Sequence, residues 1–451
     1  MKAKASVKRN IQVSFAEAVR VWIKVAVNSF GGPAGQIAVM HRYLVEEKGW
    51  ISESRFLHAL NYCMLLPGPE AQQLATYLGW LLHRVKGGLV AGSLFVLPGF
   101  VAILGLSILY ASFQDVTFVQ ALFYGLKPAV MAVVVGALIK IGKRVIKNRW
   151  MILIAALAFV AIFFFDVPFP LIVIASALVG FVGYRRWPDA FVVLKHDEAE
   201  EDGDAASPPV KPTLKRAIQV SAISLTFWFA PLIALALWLG SDSVFVQEGV
   251  FFSQTAVVTF GGAYAVLAFI AQQAVEVFGW LQPGEMLDGL GMAETTPGPL
   301  IQVVQFVGFM GAYRNAAPFD PTTAAVIGSL ITVWVTFVPC FFWIFLGAPY
   351  VEALRGNRAL TASLAAITAA VVGVILNLAV WFSLHTLFAE INEFVWNGLH
   401  LTIPQWHTLD WVGLIIAIIS FVALIKFKFS MMWTLLGSAL VGLIYYLLFS
   451  N

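Results

Sequence analysis

Long apolar runs alternate with short basic clusters along most of this chain, and two of the runs are interrupted from within by glycine and proline. The interruptions are Phe30-Gly31-Gly32-Pro33 and Leu66-Pro67-Gly68-Pro69. Glycine supplies positive φ and proline removes an amide hydrogen, so both stretches read as broken membrane helices. The first span, about 14–31, is only weakly hydrophobic, because Arg20, Lys24 and Asn28 recur every four residues and form one polar stripe on a helix. That stripe is expected to face protein or water. Arg20 and Lys24 either snorkel to the cytoplasmic headgroups or line an anion path.

Beyond the first break, segments at about 34–48 and 54–66 flank Lys48-Gly49-Trp50-Ile51-Ser52. Each is shorter than the roughly 20 residues that a span requires. Two short helices between broken ones predict a re-entrant hairpin buried in protein, since irregular backbone is not tolerated against lipid. The chain restarts at Pro69 and runs to His83-Arg84-Val85-Lys86. Four full spans follow at about 88–111, 117–140, 150–166 and 168–184, separated by Lys140, Lys143, Arg144, Lys147 and Arg149 and closed by Arg185-Arg186. Residues 187–213, with the acidic run Asp197 to Asp204 and Ser207-Pro208-Pro209, have the composition of a solvated cytoplasmic linker.

The breaks then return. Phe260-Gly261-Gly262 and Thr296-Pro297-Gly298-Pro299 stand 230 residues after their counterparts (260 − 30 and 299 − 69), without a gap. In that register Ala38 matches Ala268, Val45 Val275, Glu46 Glu276, Gly49-Trp50 Gly279-Trp280, Leu57 Leu287, Leu60 Leu290 and Gln72 Gln302. Duplicated helix breaks are the signature of a repeat-built secondary transporter. The chain therefore divides into an N-terminal repeat (1–186), the linker (187–213), a connecting transmembrane helix (214–243) and a C-terminal repeat (244–451). The span at about 215–239 has no counterpart in the first half. It carries the chain across the membrane once more, which predicts that the second repeat is inverted. With six crossings before the linker, the N-terminus, Arg355, Arg358, Lys426 and Lys428 fall inside, and Glu390, Glu393 and Asp410 outside. Arg314 is the one discordant charge, and Asn451 ends outside after about thirteen crossings, the hairpins not counted. The expected fold is an all-α polytopic membrane protein of two inverted-topology repeats with broken helices and re-entrant hairpins.

Composition supports this and narrows the chemistry. With 60% hydrophobic and 12% charged residues and a mean hydropathy of +0.84, the chain is not an ordinary soluble domain. A net charge of +3, with basic residues at the ends of apolar runs, does not suit nucleic acid. Cys63 and Cys340 lie in apolar stretches of different halves and read as packing residues. The basic N-terminus, Met1 to Arg9, lacks the pattern of a cleaved leader. No phosphate-cradling loop, strand-borne G-x-G-x-x-G, metal-ligand cluster or nucleophile with a histidine partner is present, so an enzyme is disfavoured and no cofactor is expected.

In inverted repeats with discontinuous helices, half-helix ends converge near the bilayer midplane. Pro33, Pro69 and Pro299 stand where proline is best tolerated, at the start of a helix, leaving free amides at the break. Each helix N-terminus carries roughly half a positive charge, so four supply on the order of two, which complements a small dianion. The candidate substrate-binding set is Gly31, Gly32, Pro33, Gln36, Gly68, Pro69 and Gln72 in the first repeat and Gly261, Gly262, Thr295, Thr296, Gly298, Pro299 and Gln302 in the second, with Lys24 and Asn28 of the stripe. Plainer readings stand beside these. Gly31-Gly32 would also permit close helix packing, and Gln72 and Gln302 could bond a neighbouring backbone. Glu70 matches Leu300, and Glu294 matches Met64, so neither carboxylate is duplicated. They are the expected coupling or gating groups, whereas Glu46 and Glu276 are expected to be structural.

Phe30-Gly31-Gly32-Pro33, Gly49-Trp50 and Pro67-Gly68-Pro69-Glu70-Ala71-Gln72-Gln73-Leu74-Ala75, with their second-half counterparts, resemble the chromate ion transporter family in its long, two-domain form. The resemblance covers both halves. It implies a multi-pass inner-membrane exporter of chromate that also handles sulfate, driven by membrane potential or a proton gradient and conferring chromate resistance, with a homodimer compatible with it. Pro33 matches Ala263 and Glu70 is lost at Leu300, so equal roles for the halves do not follow. A sulfate or other oxyanion importer, an anion channel of the same architecture and a membrane chromate reductase are the rival readings.

Overall fold

In the computed structural model, residues 13–191, 213–260, 262–350 and 358–449 are described. The basic tail, most of the linker, Gly261, Arg355 and Asn451 lie outside them. Helix α1 (Phe15–Val27) is capped by the Ser14 hydroxyl, buries Val21, Trp22 and Val25, and leaves Arg20 and Lys24 exposed. Gly31, left-handed at φ 84, ends the connection, and Gly32 and Pro33 open α2 (Gly32–His41). A π turn (Arg42–Glu47) and the Gly49-Trp50 loop lead to α3 (Glu53–Cys63), capped by Ser52. These are the two short helices expected around the first hinge.

Helix α4 (Glu70–Phe113) is interrupted at His83 (φ −138) and Arg84 (φ 56). The chain doubles back there, since a Cβ on Gly79 would stand 2.6 Å from Ala91 Cβ, whereas twelve residues of straight helix span about 18 Å. The expected basic cluster is thus the turn of a tight helical hairpin. Helices α5 (Thr117–Val145), α6 (Arg149–Phe165) and α7 (Phe169–Arg186) follow, with the single turn α8 (Pro188–Phe191). The unmatched helix α9 (Leu214–Leu239) buries only Trp228 and Leu232, as a lipid-facing connector would.

The second half runs α10 (Val244–Val258), α11 (Ala263–Gln272), a π turn (Gln273–Val277), α12 (Glu285–Thr295), a single 3₁₀ turn (Leu300–Gln302) and α13 (Val303–Arg314). It continues with α14 (Pro321–Gly347), α15 (Arg358–Leu387), strands β1 (Ile391–Trp396) and β2 (Leu399–Pro404), α16 (Trp411–Ile425) and α17 (Met431–Phe449). Seven of these helices, α4, α5, α7, α9, α14, α15 and α17, are long and apolar enough to cross a membrane. The chain is a multi-pass, predominantly helical membrane protein.

The duplication extends to individual hydrogen bonds. The Lys48 and Ile51 amides donate to the Tyr43 and Leu44 carbonyls, and their counterparts Phe278 and Leu281 donate to Gln273 and Ala274. Gly49 and Gly279 have φ 60 and 63, and Gly68 and Gly298 have φ 120 and 111. Glycine at equivalent positions thus sets equivalent left-handed turns, which a Cβ would strain. Helices approach closely at small residues, as at Gly125 against Gly442 and Gly180 against the Ala362 carbonyl.

Among the described residues, one element departs from an all-helical chain. The acidic connection bearing Glu393 forms an antiparallel hairpin, Ile391 opposite Pro404 and Trp396 opposite Leu399. Asn397 (φ 48) and Gly398 (φ 80) make the two-residue turn that matches strand twist. His400 pins this hairpin to Asp166 at the end of α6, at 2.9 Å.

Candidate functional site

Each half's Pro-Gly-Pro break is seated in the other half. The Gly68 amide donates to the Thr259 carbonyl at 2.7 Å, and the Gly298 amide to the Ser29 carbonyl at 3.0 Å. Ser29 and Thr259 are themselves a matched pair (259 − 29 = 230), so one bond is made twice with the halves exchanged. These two amides are therefore engaged rather than free. A Cβ on Gly298 would lie 3.1 Å from Gly99 Cα, and one on Gly68 would lie 3.0 Å from Cys340 Sγ. Gly99 and Cys340 each follow a proline inside a helix, Pro98 of α4 and Pro339 of α14. Leu97-Pro98-Gly99-Phe100 and Val338-Pro339-Cys340-Phe341 are a further matched pair. The longer connection between α13 and α14 shifts them out of the ungapped register, which hid them from the sequence comparison.

Five buried glutamines surround the breaks. Gln36 Nε2 donates to the Gly298 carbonyl at 2.6 Å, and Gln73 Nε2 to the Pro67 carbonyl at 2.7 Å. Gln302 Nε2 reaches the Val96 carbonyl and Gln305 Oε1, both at 3.3 Å, and Gln305 donates to the Phe100 carbonyl. Gln72 turns instead to Thr76 Oγ1, so Gln73 is the glutamine at the first break. The Oε1 atoms of Gln36, Gln72, Gln73 and Gln302 are buried without a partner. An unmet buried acceptor costs about 1–3 kcal/mol. Gln73 and Gln305 were not among the sequence candidates; their counterparts are Val303 and Ala75.

Several other candidates are occupied differently from the expectation. The Thr295 hydroxyl donates to the Gly291 and Met292 carbonyls and that of Thr296 to Ala293, so both close the last turn of α12. Glu294 is 3% exposed; the Tyr264 hydroxyl donates to Oε1, and Oε2 has no partner. Glu70 is half-buried at the start of α4, within electrostatic reach of Arg144. Gly31 is exposed, while Gly32, Pro33, Gly262 and Pro69 are partly covered and Pro299 is buried. Arg20 and Lys24 do not meet the breaks: they line a groove of about 580 Å³ with Glu17, Tyr43, Glu47 and Lys48. Asn28, one residue before Ser29, bonds the Lys24 carbonyl.

A second group of charges escaped sequence reasoning. Arg314 grips Glu285 through both terminal nitrogens, each at 2.8 Å, and bonds the Trp280 carbonyl. It is a paired cation, so its charge is committed to Glu285 and does not report a side of the membrane. Asp288, one turn further along α12, accepts from Tyr110 and lies 3.4 Å from Lys127. Glu248 of α10 is wholly buried, both oxygens without partners, between Gly311 and Gly328. Its counterpart is Ala18, so duplication could not reveal it. Among the described residues, no group of three or more His, Cys, Asp or Glu could hold a metal ion.

The two halves are also where the chain matches known proteins. A family model described as chromate transporter covers residues 16–181 and 246–443. A chromate transport protein of Pseudomonas aeruginosa is 32% identical over 371 residues, 80% of each chain. One of Cupriavidus metallidurans is 30% identical over 360 residues, 79% of this chain and 80% of the relative. A probable chromate transport protein of Synechococcus elongatus is 28% identical over 366 residues, 80% of this chain and 83% of the relative. No solved structure matches. Matched over both repeats and carrying the breaks, this chain belongs to the chromate transporter family, whose members are membrane transport proteins rather than enzymes.

Proposed function

We propose that the chain is a secondary transporter that exports chromate across the inner membrane and confers chromate resistance, with sulfate as a competing substrate. The observation that carries this reading is the reciprocal seating of Gly68 on Thr259 and Gly298 on Ser29. Two bonds of equal kind, one from each repeat, suit a pair of inverted halves that rock about a shared centre. The relatives' names supply chromate. A half-turn of the Gln72 and Gln302 amides would present NH₂ groups where unpartnered oxygens now lie, and helix N-termini at Pro33, Pro69 and Pro299 add partial positive charge. Lys24 lines the groove beside α1, Asn28 bonds the Lys24 carbonyl one residue before Ser29, and both would serve the approach.

Uptake of labelled chromate and sulfate into inside-out vesicles, with and without an imposed gradient, tests the whole reading. Saturable, gradient-dependent chromate uptake that sulfate inhibits is expected; non-saturating conduction would make the protein a channel. Gln72→Ala and Gln302→Ala should each remove a hydrogen bond to a charged group, about 1.5–3 kcal/mol, or roughly 10- to 150-fold in affinity. Wild-type affinity in both would remove the glutamines from the site.

Glu70 and Glu294 sit beside the breaks, and we assign them the coupling or gating step. An ionised carboxylate at mid-membrane costs about 2.5–3.5 kcal/mol, so a proton that comes and goes there is energetically significant. Glu70→Gln and Glu294→Gln are expected to flatten the pH dependence of transport more than they alter substrate affinity. Unchanged pH profiles in both would leave them a structural role only. For the inverted arrangement, reporter fusions in the 187–213 linker and after Asn451 should report opposite sides, cytoplasmic and external. Agreement between the two reporters would rule inversion out.

A further inference from the structure

At the end of the molecule that carries the β-hairpin, a cavity of about 330 Å³ opens among α4, α5, α12, α15 and α17, its lining including Tyr110, Tyr124, Lys127, Asp288, His385 and Asp410. It is distinct from the breaks, although α12 joins the two: Asp288 and Glu294 lie six residues apart on it, about 9 Å along a helix axis. Lys127 is the one basic residue in the apolar middle of α5, followed directly by Pro128. Its ammonium is 3.4 Å from Asp288 Oδ2, and the Tyr110 hydroxyl donates to the same oxygen at 2.9 Å. Asp288 is 2% exposed and its Oδ1 has no partner. Both line the cavity, the lysine as the open member of the pair at 31% side-chain exposure and the carboxylate as the covered one at 2%.

The other charges near Asp288 are already committed. Glu285, on the same helix, is gripped by Arg314 of α13. Asp410 accepts from the Tyr124 hydroxyl and the Gly413 amide, both at 2.9 Å. His385 of α15 bonds the Trp381 carbonyl through Nδ1, and Tyr446 of α17 lines the far wall. The Lys127–Asp288 pair is thus the exchangeable one. It is long for a charge-assisted bond, which is about 2.7–2.9 Å when well made.

We infer that Lys127 is an anion subsite covered by Asp288, and that the cavity takes up a tetrahedral dianion together with one proton. The proton neutralises Asp288, the ammonium loses its carboxylate, and the dianion takes the carboxylate's place. The charge entering the cavity is then one negative unit instead of two, and one less is carried through a low-dielectric interior. The subsite rests on the oxyanion-transport reading and gives it a second binding position, outside the breaks.

The test is equilibrium binding of labelled sulfate to the purified full chain, because sulfate stays a dianion at both mildly acid and mildly alkaline pH. Wild type is expected to bind two sulfates per chain at the acid pH and one at the alkaline pH. Asp288→Asn should bind two at both, and Lys127→Met one at both. Lys127→Arg should keep the wild-type pattern within a few-fold in affinity. The arginine and asparagine variants preserve size, so they decide the matter even if the methionine variant does not fold. Wild-type pH dependence in Asp288→Asn, or two sulfates in folded Lys127→Met, overturns the subsite while the break site stands. Absence of sulfate and chromate binding to wild type at either pH overturns the transport reading as well.

Discussion

Gly99→Ala is expected to abolish transport and to lower thermal stability sharply, although the change adds a single methyl group. Gly99 has ordinary helical backbone within α4, so backbone strain plays no part. The added Cβ would lie 2.6 Å from both the Pro297 carbonyl oxygen and Gln302 Oε1. The first of these is backbone at the break itself and cannot step aside alone. Overpacking of this kind costs about 1–3 kcal/mol. Gly298→Ala meets the same wall from the other side, 3.1 Å from Gly99 Cα, and adds a positive φ of 111, worth about another 1–3 kcal/mol. Gly68→Ala carries the same φ penalty but faces only the movable ends of Gln73 and Cys340. The expected order of damage, read by thermal unfolding and vesicle uptake, is Gly298 worst and Gly68 milder. Normal folding and uptake by Gly99→Ala would mean that the break does not seat against α4 in the working protein.

Arg314→Ala should destabilise the protein by about 3–5 kcal/mol, the cost of leaving a buried partner charge unpaired. Glu285, 7% exposed, would keep only the Gln282 amide and the long Tyr110 contact. Because the penalty comes from the orphaned charge, Arg314→Met combined with Glu285→Leu is expected to recover much of it. A double-mutant cycle by chemical denaturation reads the coupling directly. If the two single losses simply add in the double variant, the bidentate pair does not hold this corner of the molecule together.

Much of the local architecture was legible from residue types. Gly49 and Gly279, and Gly68 and Gly298, announced left-handed turns because few other residues adopt them, and an ungapped offset let each copy confirm the other. The short segments that hold α2 and α3 followed from where those turns fall. The β-hairpin carries a strong two-residue turn signal in Asn397-Gly398, set within an acidic connection between two apolar spans. The Pro98 and Pro339 match was hidden by a longer connection, and the Glu285, Arg314, Asp288 and Lys127 group by its origin in three separate helices.

What the sequence by itself determined is where the chain spans, where it breaks and that it does so twice. Those properties are local, set by transfer of apolar runs into lipid and by the backbone chemistry of glycine and proline. Which partner each break meets was decided only by tertiary structure. Gly298 bonds a carbonyl of Ser29, far back in the chain, and Gln36 bonds the carbonyl of Gly298 itself. Buried backbone groups must be satisfied by whatever the fold brings within reach. The glutamine amides, the threonine hydroxyls and Arg314 were assigned by that requirement, which acts across the two halves and leaves no periodic trace in either.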